Sequence, residues 1–527
     1  MTPGTPRLLQ ARRQVAHTDP LAAVALLRSA EPSVDQLVER AYAEVLAVRF
    51  RTAARLAAQA VALSPTPAAR AVQSLTLSFL GPTRATSGDQ IEQAFRQALL
   101  AVDDSAWCRY LLAEAAMSHG AITEAVALTD RLVPGDPVTD ALGAQARCRA
   151  LAFGGRLAES QELAAELADR AADQELAGVE AVTRGLLAYL AAQRSDRAGL
   201  RRESRAALAL ATHPTRHYMF AGAHALVAFA LAADGQHSLS AATILAGAGA
   251  DLRRLQFVDR AYGYEVLASA ALHSQDPEAA TRWMLEALSL PATGMAAAAV
   301  ARTESMVRTA LGEHPLGAAA AERAAQSAAG RGGRLDAARA TVLHGRALSH
   351  LGSRKRAISE LETVAEAATD LGALRIRALA VREMRALGRR VAPAGRDRQD
   401  LTPRERQTVL LVADGLSNRQ IARLLHVSEH TVASHVATVM RRLAVPSRAA
   451  LPAALGLATA PWTGELTARQ AQVVELVARG LTNAQIGVEL GVSGKTVEKH
   501  VGDALLRTGL PSRTALAASW GSRARAG

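Results

Sequence analysis

Residues 401–451 read LTPRERQTVLLVADGLSNRQIARLLHVSEHTVASHVATVMRRLAVPSRAAL, and residues 466–516 read LTARQAQVVELVARGLTNAQIGVELGVSGKTVEKHVGDALLRTGLPSRTAL. The offset is 65 throughout, and it pairs Leu416 with Leu481, Thr431 with Thr496, His435 with His500 and Ser447 with Ser512. An ungapped duplication of this length does not arise from biased composition. Each copy reads as four helices. Thr402 and Thr467 stand as N-caps, and Pro403 takes the first helical position of the first copy, where its missing N–H costs nothing. Gly415 and Gly480 end that helix in the left-handed conformation that a helix C-terminus favours. Ser417 and Thr482 cap a short second helix, in which Ile421, Leu424 and Leu425 recur at helical spacing. A tight turn comes next, His426-Val427 in one copy and Gly491-Val492 in the other, and Ser428 and Ser493 cap the third helix. There Val432, Val436, Val439 and Leu443 fall at i, i+4, i+7 and i+11, one buried stripe. The opposite face, Ala433, Ser434, Ala437, Thr438 and Arg441, is small and polar.

A short helix, a tight turn and a longer helix with a narrow outer face make the geometry of a helix-turn-helix, in which the second helix braces the third and the third enters the major groove. Both copies resemble the LuxR/NarL-type helix-turn-helix. The first matches its pattern at Leu401-Thr402, Arg404-Glu405, Gly415, Ser417-Asn418, Ile421-Ala422, Ser428, Thr431-Val432, His435, Leu443 and Arg448. The second keeps Leu466-Thr467, Gly480, Asn483, Ile486, Ser493, Thr496-Val497, His500 and Arg513. It departs where Gln470-Ala471 replaces the Glu-Arg pair, Gly487 replaces the small Ala, Leu506 stands for Arg441 and Thr508 for the core Leu443.

The resemblance implies double-stranded DNA as partner and assigns the contacts. In the first copy these fall on Asn418, Arg419, Ser428, Thr431, Ala433, Ser434, Ala437, Thr438, Arg441, Arg442 and Arg448. In the second they fall on Asn483, Ser493, Lys495, Thr496, Glu498, Lys499, Arg507 and Arg513. The small residues of the first copy suit thymine methyls and sugars, while its arginines suit phosphates, which position a domain without specifying sequence. Lys495 and Lys499 offer charge and guanine contacts, and Glu498 and Asp503 share their face. His435 and His500 are read as helix-packing residues. In this family the fourth helix serves dimerisation; here Pro452, four residues past Arg448, breaks or kinks it in the first copy. Two heads on one chain offer a substitute. The nine residues 458–466 span ~30 Å when extended, against ~34 Å between half-sites one helical turn apart.

Upstream of the duplication, residues 389–400, RRVAPAGRDRQD, bury almost nothing and read as a solvated linker. Before them, from about residue 20, Ala/Leu-rich helical stretches alternate with breaks at Phe50-Arg51, Gly81-Pro82, Gly120, Gly154-Gly155, Ser195-Asp196, Asp234-Gly235, Asp276-Pro277, Gly312 and Gly352. Spacings of ~35–40 residues mark stacked helix hairpins, in eight or nine units. Composition agrees: apolar residues are 49% but aromatics only 3%, so Ala, Leu and Val do the packing, which suits close helices rather than sheets. These units resemble tetratricopeptide repeats, with a small residue before the second helix and Ala early in it, although the family's Trp and Tyr positions are largely missing. Such an array serves either as a bare scaffold presenting the terminal domains or as a concave surface that binds a peptide, a protein or a small effector.

The expected fold is therefore all-α: a tetratricopeptide-like α-solenoid over 1–390, a linker over 391–400, four-helix helix-turn-helix domains over 401–458 and 466–527, and a linker over 459–465. With no GxxxxGK[ST], the chain resembles the large MalT-like regulators without their P-loop ATPase. No GxSxG, HExxH, paired catalytic carboxylates or metal-spaced His/Cys cluster occurs, so neither enzyme activity nor a cofactor is expected. Cys108 and Cys148 lack CxxC spacing and read as buried thiols. The net charge of +12 suits a polyanion but is spread thinly. No apolar run approaches a membrane span, and a cytoplasmic, nucleoid-associated protein is expected. The function implied is a transcription regulator whose repeats sense an effector or protein partner, with RNA polymerase a further candidate partner. The alternative is an interaction scaffold or anti-regulator whose heads no longer bind DNA.

Overall fold

The computed structural model describes residues 5–17, 19–28, 32–130, 135–212, 217–389, 403–413, 416–425, 427–442, 466–508 and the single positions 445, 448, 451, 510, 513, 516, 517 and 520. Among the described residues every regular element is a helix. The chain divides into two compact units, 1–391 and 392–527. Both stretches expected as linkers, 391–400 and 459–465, lie outside the described residues.

The first unit is a train of helical hairpins. From Pro137 onward the first helix of each hairpin begins at 137, 177, 218, 257, 294 and 334, intervals of 37 to 41 residues. Side-chain caps start many of these helices. Ser33 and Ser87 form capping boxes with Gln36 and Gln90, while Asp136 and Asp276 cap helices with Pro at the first position. One turn recurs inside the hairpins. A residue in the left-handed conformation comes after the first helix, and the next amide reaches back five residues, as in Arg156 N to Leu151 O at 2.8 Å and Gln236 N to Leu231 O at 2.9 Å. Glycine occupies that position at 120, 155, 235, 312 and 352, where the sequence breaks were read. At Val48, Ser195 and Gln275 a side chain adopts it with φ of 61°, 60° and 58°. The break placed at Phe50-Arg51 is thus really at Val48, and Phe50 opens the following helix.

The hairpins wind so tightly that the array closes on itself. Each first helix packs on the first helix five hairpins later: Val34–Leu46 on Tyr218–Asp234, Pro67–Leu80 on Phe257–His273, Ala106–His119 on Gly294–Ala310, Pro137–Phe153 on Arg334–His350. First helices are consequently enclosed all round. None of the 17 residues of Ala177–Gln193 is exposed, whereas second helices such as Leu157–Asp173 bury one stripe and wet the other. The open concave surface expected of such an array is closed over this stretch. Cys108 and Cys148 are both free and buried, and burial pushes each thiol up to about 12.

At the axis the enclosed polar groups satisfy one another. Arg302, fully buried, donates to both oxygens of Glu265 at 3.0 and 2.8 Å and lies 3.3 Å from Asp336. Arg339 adds a bond to Glu265 at 2.8 Å, and Tyr262 donates its hydroxyl to Asp336. Two guanidiniums thus balance two carboxylates. Burial alone would raise the Glu265 carboxyl; Arg302 and Arg339 outweigh it and hold it below the usual carboxylate value. Removing Arg302 strands two buried carboxylates, a loss of about 3–5 kcal/mol. Arg302→Met should lower the urea midpoint of the full chain accordingly at pH 7–8. Glu265 lends stability that is present above its unfolded pKa and lost as pH falls through its depressed folded pKa, so the deficit should narrow on acidification.

Candidate nucleic-acid interface

The second unit contains the duplicated segment. The first copy forms helices Pro403–Ala413, Asn418–Leu425 and Glu429–Arg442; the second forms Ala468–Ala478, Asn483–Leu490 and Gly494–Thr508. Of the fourth helix only scattered positions are described, Leu451 and Leu516 among them, both buried in their cores. Pro452 lies outside the described residues.

Local chemistry explains why the second copy tolerates its departures. Thr467 caps its helix in a capping box with Gln470, so Gln does the work that Glu does in the common pattern. Thr508 is buried, but its hydroxyl donates to Ala504 O at 2.8 Å, which satisfies the polar atom inside the core. Gly487 lies under the turn, and a Cβ there would come within 2.6 Å of Val492 O. Gly480 and Gly491 are left-handed, with φ of 89° and 66°; Gly415 and His426 lie outside the described residues.

The second helix of each copy is pinned at both ends by arginine. Arg404 donates to Leu425 O and Arg469 to Leu490 O at 2.8 Å, which covers the last carbonyls. At the other end Arg513 donates to Asn483 Oδ1 at 2.5 Å and to Leu481 O at 2.7 Å, and Arg448 makes the same pair of bonds to Asn418 and Leu416. Partial burial lowers both guanidinium pKa values. Asn418, Arg448, Asn483 and Arg513 were read as DNA contacts, but the structure engages each pair internally. They clasp the start of the fourth segment to the second helix, and sequence reasoning missed both this role and that of Arg404 and Arg469.

The third helices behave as their stripes foretold. Val432, Val436 and Val439 are buried, as are Val497, Val501 and Ala504. Ala433, Ser434 and Ala437 are exposed and Thr438 is half-buried; the side chains of Arg441 and Arg442, and all of Leu443, lie outside the described residues. Lys495, Glu498, Lys499, Gly502 and Leu506 form one exposed face of the second copy, Leu506 at 83% exposure, with Asp503 half-buried beside it and Arg507 exposed. Ser428 and Ser493 cap these helices through the Thr431 and Thr496 amides at 3.0 and 3.1 Å. Arg419 is exposed and 3.9 Å from Glu429. Leu424, counted with the apolar residues of the second helix, is 58% exposed. His435 and His500 are half-buried beside the stripes.

Residues 399–453 and 464–519 each match the family described as bacterial regulatory proteins, luxR family (GerE). The chain carries two LuxR-family domains at its C-terminal end. A Mycobacterium tuberculosis protein named as an HTH-type transcriptional regulator is 48% identical over 67 residues, 13% of this chain and 8% of that one. The nitrate/nitrite response regulator protein NarL of Escherichia coli is 44% identical over 57 residues, 11% of this chain and 26% of its own length. The match therefore spans well under two thirds of either relative. Among solved structures, a Rap protein complexed with competence and sporulation factor aligns with 67% of this chain and 97% of its own, at 12% identity and a TM-score of 0.45.

Because hydrogen bonds made by charged groups contribute about 1.5–3 kcal/mol when shielded, and these arginines are only half-buried, Arg448→Ala or Arg513→Ala should cost its own domain about 1–2 kcal/mol. Hydrogen exchange read domain by domain is the check: each substitution should loosen its own copy and leave the other protected.

Proposed function

We propose that the chain is a transcription regulator that binds double-stranded DNA with both LuxR-family heads, and that the hairpin array senses an effector or a protein partner. One observation carries the DNA reading. In both copies the second helix is fixed at its two ends by internal arginine bonds, which leaves the third helix braced with its outer face free. That is what a major-groove reader requires.

Within this reading the two heads divide the work. Ala433, Ser434 and Ala437 let the first helix seat deeply against thymine methyls and sugars, while Ser428 and Thr431 sit at its N-terminus, where backbone amides favour phosphate. In the second head Lys495 and Lys499 supply cations, and Glu498 between them suits a cytosine amino group. Arg419 and Arg507 remain exposed toward solvent and suit phosphates. The relatives' printed names, a transcriptional regulator and a response regulator, support the same reading.

The test is a salt titration of binding to promoter DNA by the full chain and by residues 396–527, beside a Lys495→Ala/Lys499→Ala variant. Each phosphate contact contributes about 0.9 to the slope of log K against log salt. The variant should therefore bind more weakly, with a slope shallower by up to ~2. Binding that ignores salt, or no binding by either form at low salt, would overturn the DNA reading. A fragment that binds when the full chain does not would favour repeats that mask the heads.

A further inference from the structure

Near the axis of the hairpin array lies a cavity of about 60 Å³ whose walls come almost entirely from first helices. By volume it holds about four waters, or one molecule of similar bulk. Leu75, Phe79, Phe153, Leu226 and Phe229 supply apolar walls. The polar groups on its rim are, with two exceptions, already satisfied. Tyr42 and Tyr110 share a hydrogen bond of 2.6 Å, Tyr218 donates to Asp259 at 2.8 Å, and Arg149 pairs with Glu114.

The exceptions are both donors. Gln145, only 3% exposed, has no hydrogen-bond partner at Nε2, and Arg149 has none at Nε. A buried unmet donor costs about 1–3 kcal/mol, and an oxygen acceptor is what relieves it. The rim charges narrow the choice further. One guanidinium faces two carboxylates, so an added anion is repelled. A cation finds Glu114 taken by Arg149 and Asp259 taken by Tyr218 and Gln256.

A glycine holds the space open. Other glycines inside the first helices are packed tight: an added Cβ would come within 3.1 Å of Ala223 O at Gly185, 2.7 Å of the Leu252 side chain at Gly263 and 2.8 Å of the Leu361 side chain at Gly345. At Gly222, on the cavity wall, its nearest neighbour would be 3.9 Å away. Gly within a helix costs about 0.5–1 kcal/mol against Ala, and no neighbour requires it there.

We infer that this cavity binds a small neutral molecule with a compact apolar body and one carbonyl-type oxygen, which accepts from Gln145 and Arg149. The site gives the effector-sensing reading a location and a chemistry, and rests on that reading only for its regulatory meaning.

Calorimetry of the full chain with isobutyramide, isobutyrate and isobutylamine tests it, since the three share a tail and differ in the charge of the head. The amide should bind, and Gln145→Leu should weaken it roughly tenfold, one lost hydrogen bond. Gly222→Val, which fills the space, should abolish binding while the chain melts no lower than the wild type. Binding of none of the three, preference for the acid or the amine, or amide binding that survives both substitutions would overturn the site. Repeating the DNA titration with the amide present reads the regulatory meaning separately: unchanged DNA affinity would sink effector sensing through this cavity and leave the site itself standing.

Discussion

Everything in the hairpin array stems from the requirement that a first helix be covered on every side. It faces its own second helix, its sequence neighbours and the first helix five hairpins later. Only small residues allow four helical neighbours to approach a single helix, which is why alanine dominates and why first helices show no polar stripe. Aromatic residues are few because there is little room for them. Those present are concentrated where the helices converge: all six tyrosines lie on first helices and all are buried. Their hydroxyls, with the Arg302 quartet and the Arg149–Glu114 pair, form a polar axle in an otherwise apolar interior. Such buried networks are tolerable only when nearly every member has a partner.

The two heads show the same economy on a smaller scale. Two arginines per copy tie the short second helix to the segments on either side of it, and a capping serine starts the third. The substitutions that set the second copy apart keep the physical role and change the residue. Gln470 closes a capping box, Thr508 returns its hydroxyl to its own helix, and Gly487 makes room for the turn above it. Sequence divergence between the copies is thus concentrated on the outer face, where Ala433 and Ser434 become Glu498 and Lys499.

The helical class, the hairpin period and the helix-turn-helix were legible because each depends on neighbours close in sequence. Gly120, Gly155 and Gly352 announce a left-handed turn; Val48, Ser195 and Gln275 adopt the same conformation under packing forces that leave no mark in the local sequence. Closure of the array was hidden for a related reason. It joins segments some 170 residues apart, such as Leu46 and Tyr218, and alanine surfaces carry no address. In the heads, spacing located the outer face correctly at Ala433, Ser434 and Ala437. It said nothing about where long side chains turn, so Arg448 and Arg513 were read as outward cations although they reach inward to Asn418 and Asn483.

Closure also bears on how the chain is made. In an open array each hairpin can rest on the one just synthesised. Here the helix ending at Leu46 meets its distal partner only once Asp234 has emerged. At roughly 5–20 residues per second that is an interval on the order of 10–40 s. During it the flank of each early first helix stays uncovered on the ribosome, so the nascent chain passes through a long stretch of exposed apolar surface in which holding chaperones have a natural substrate.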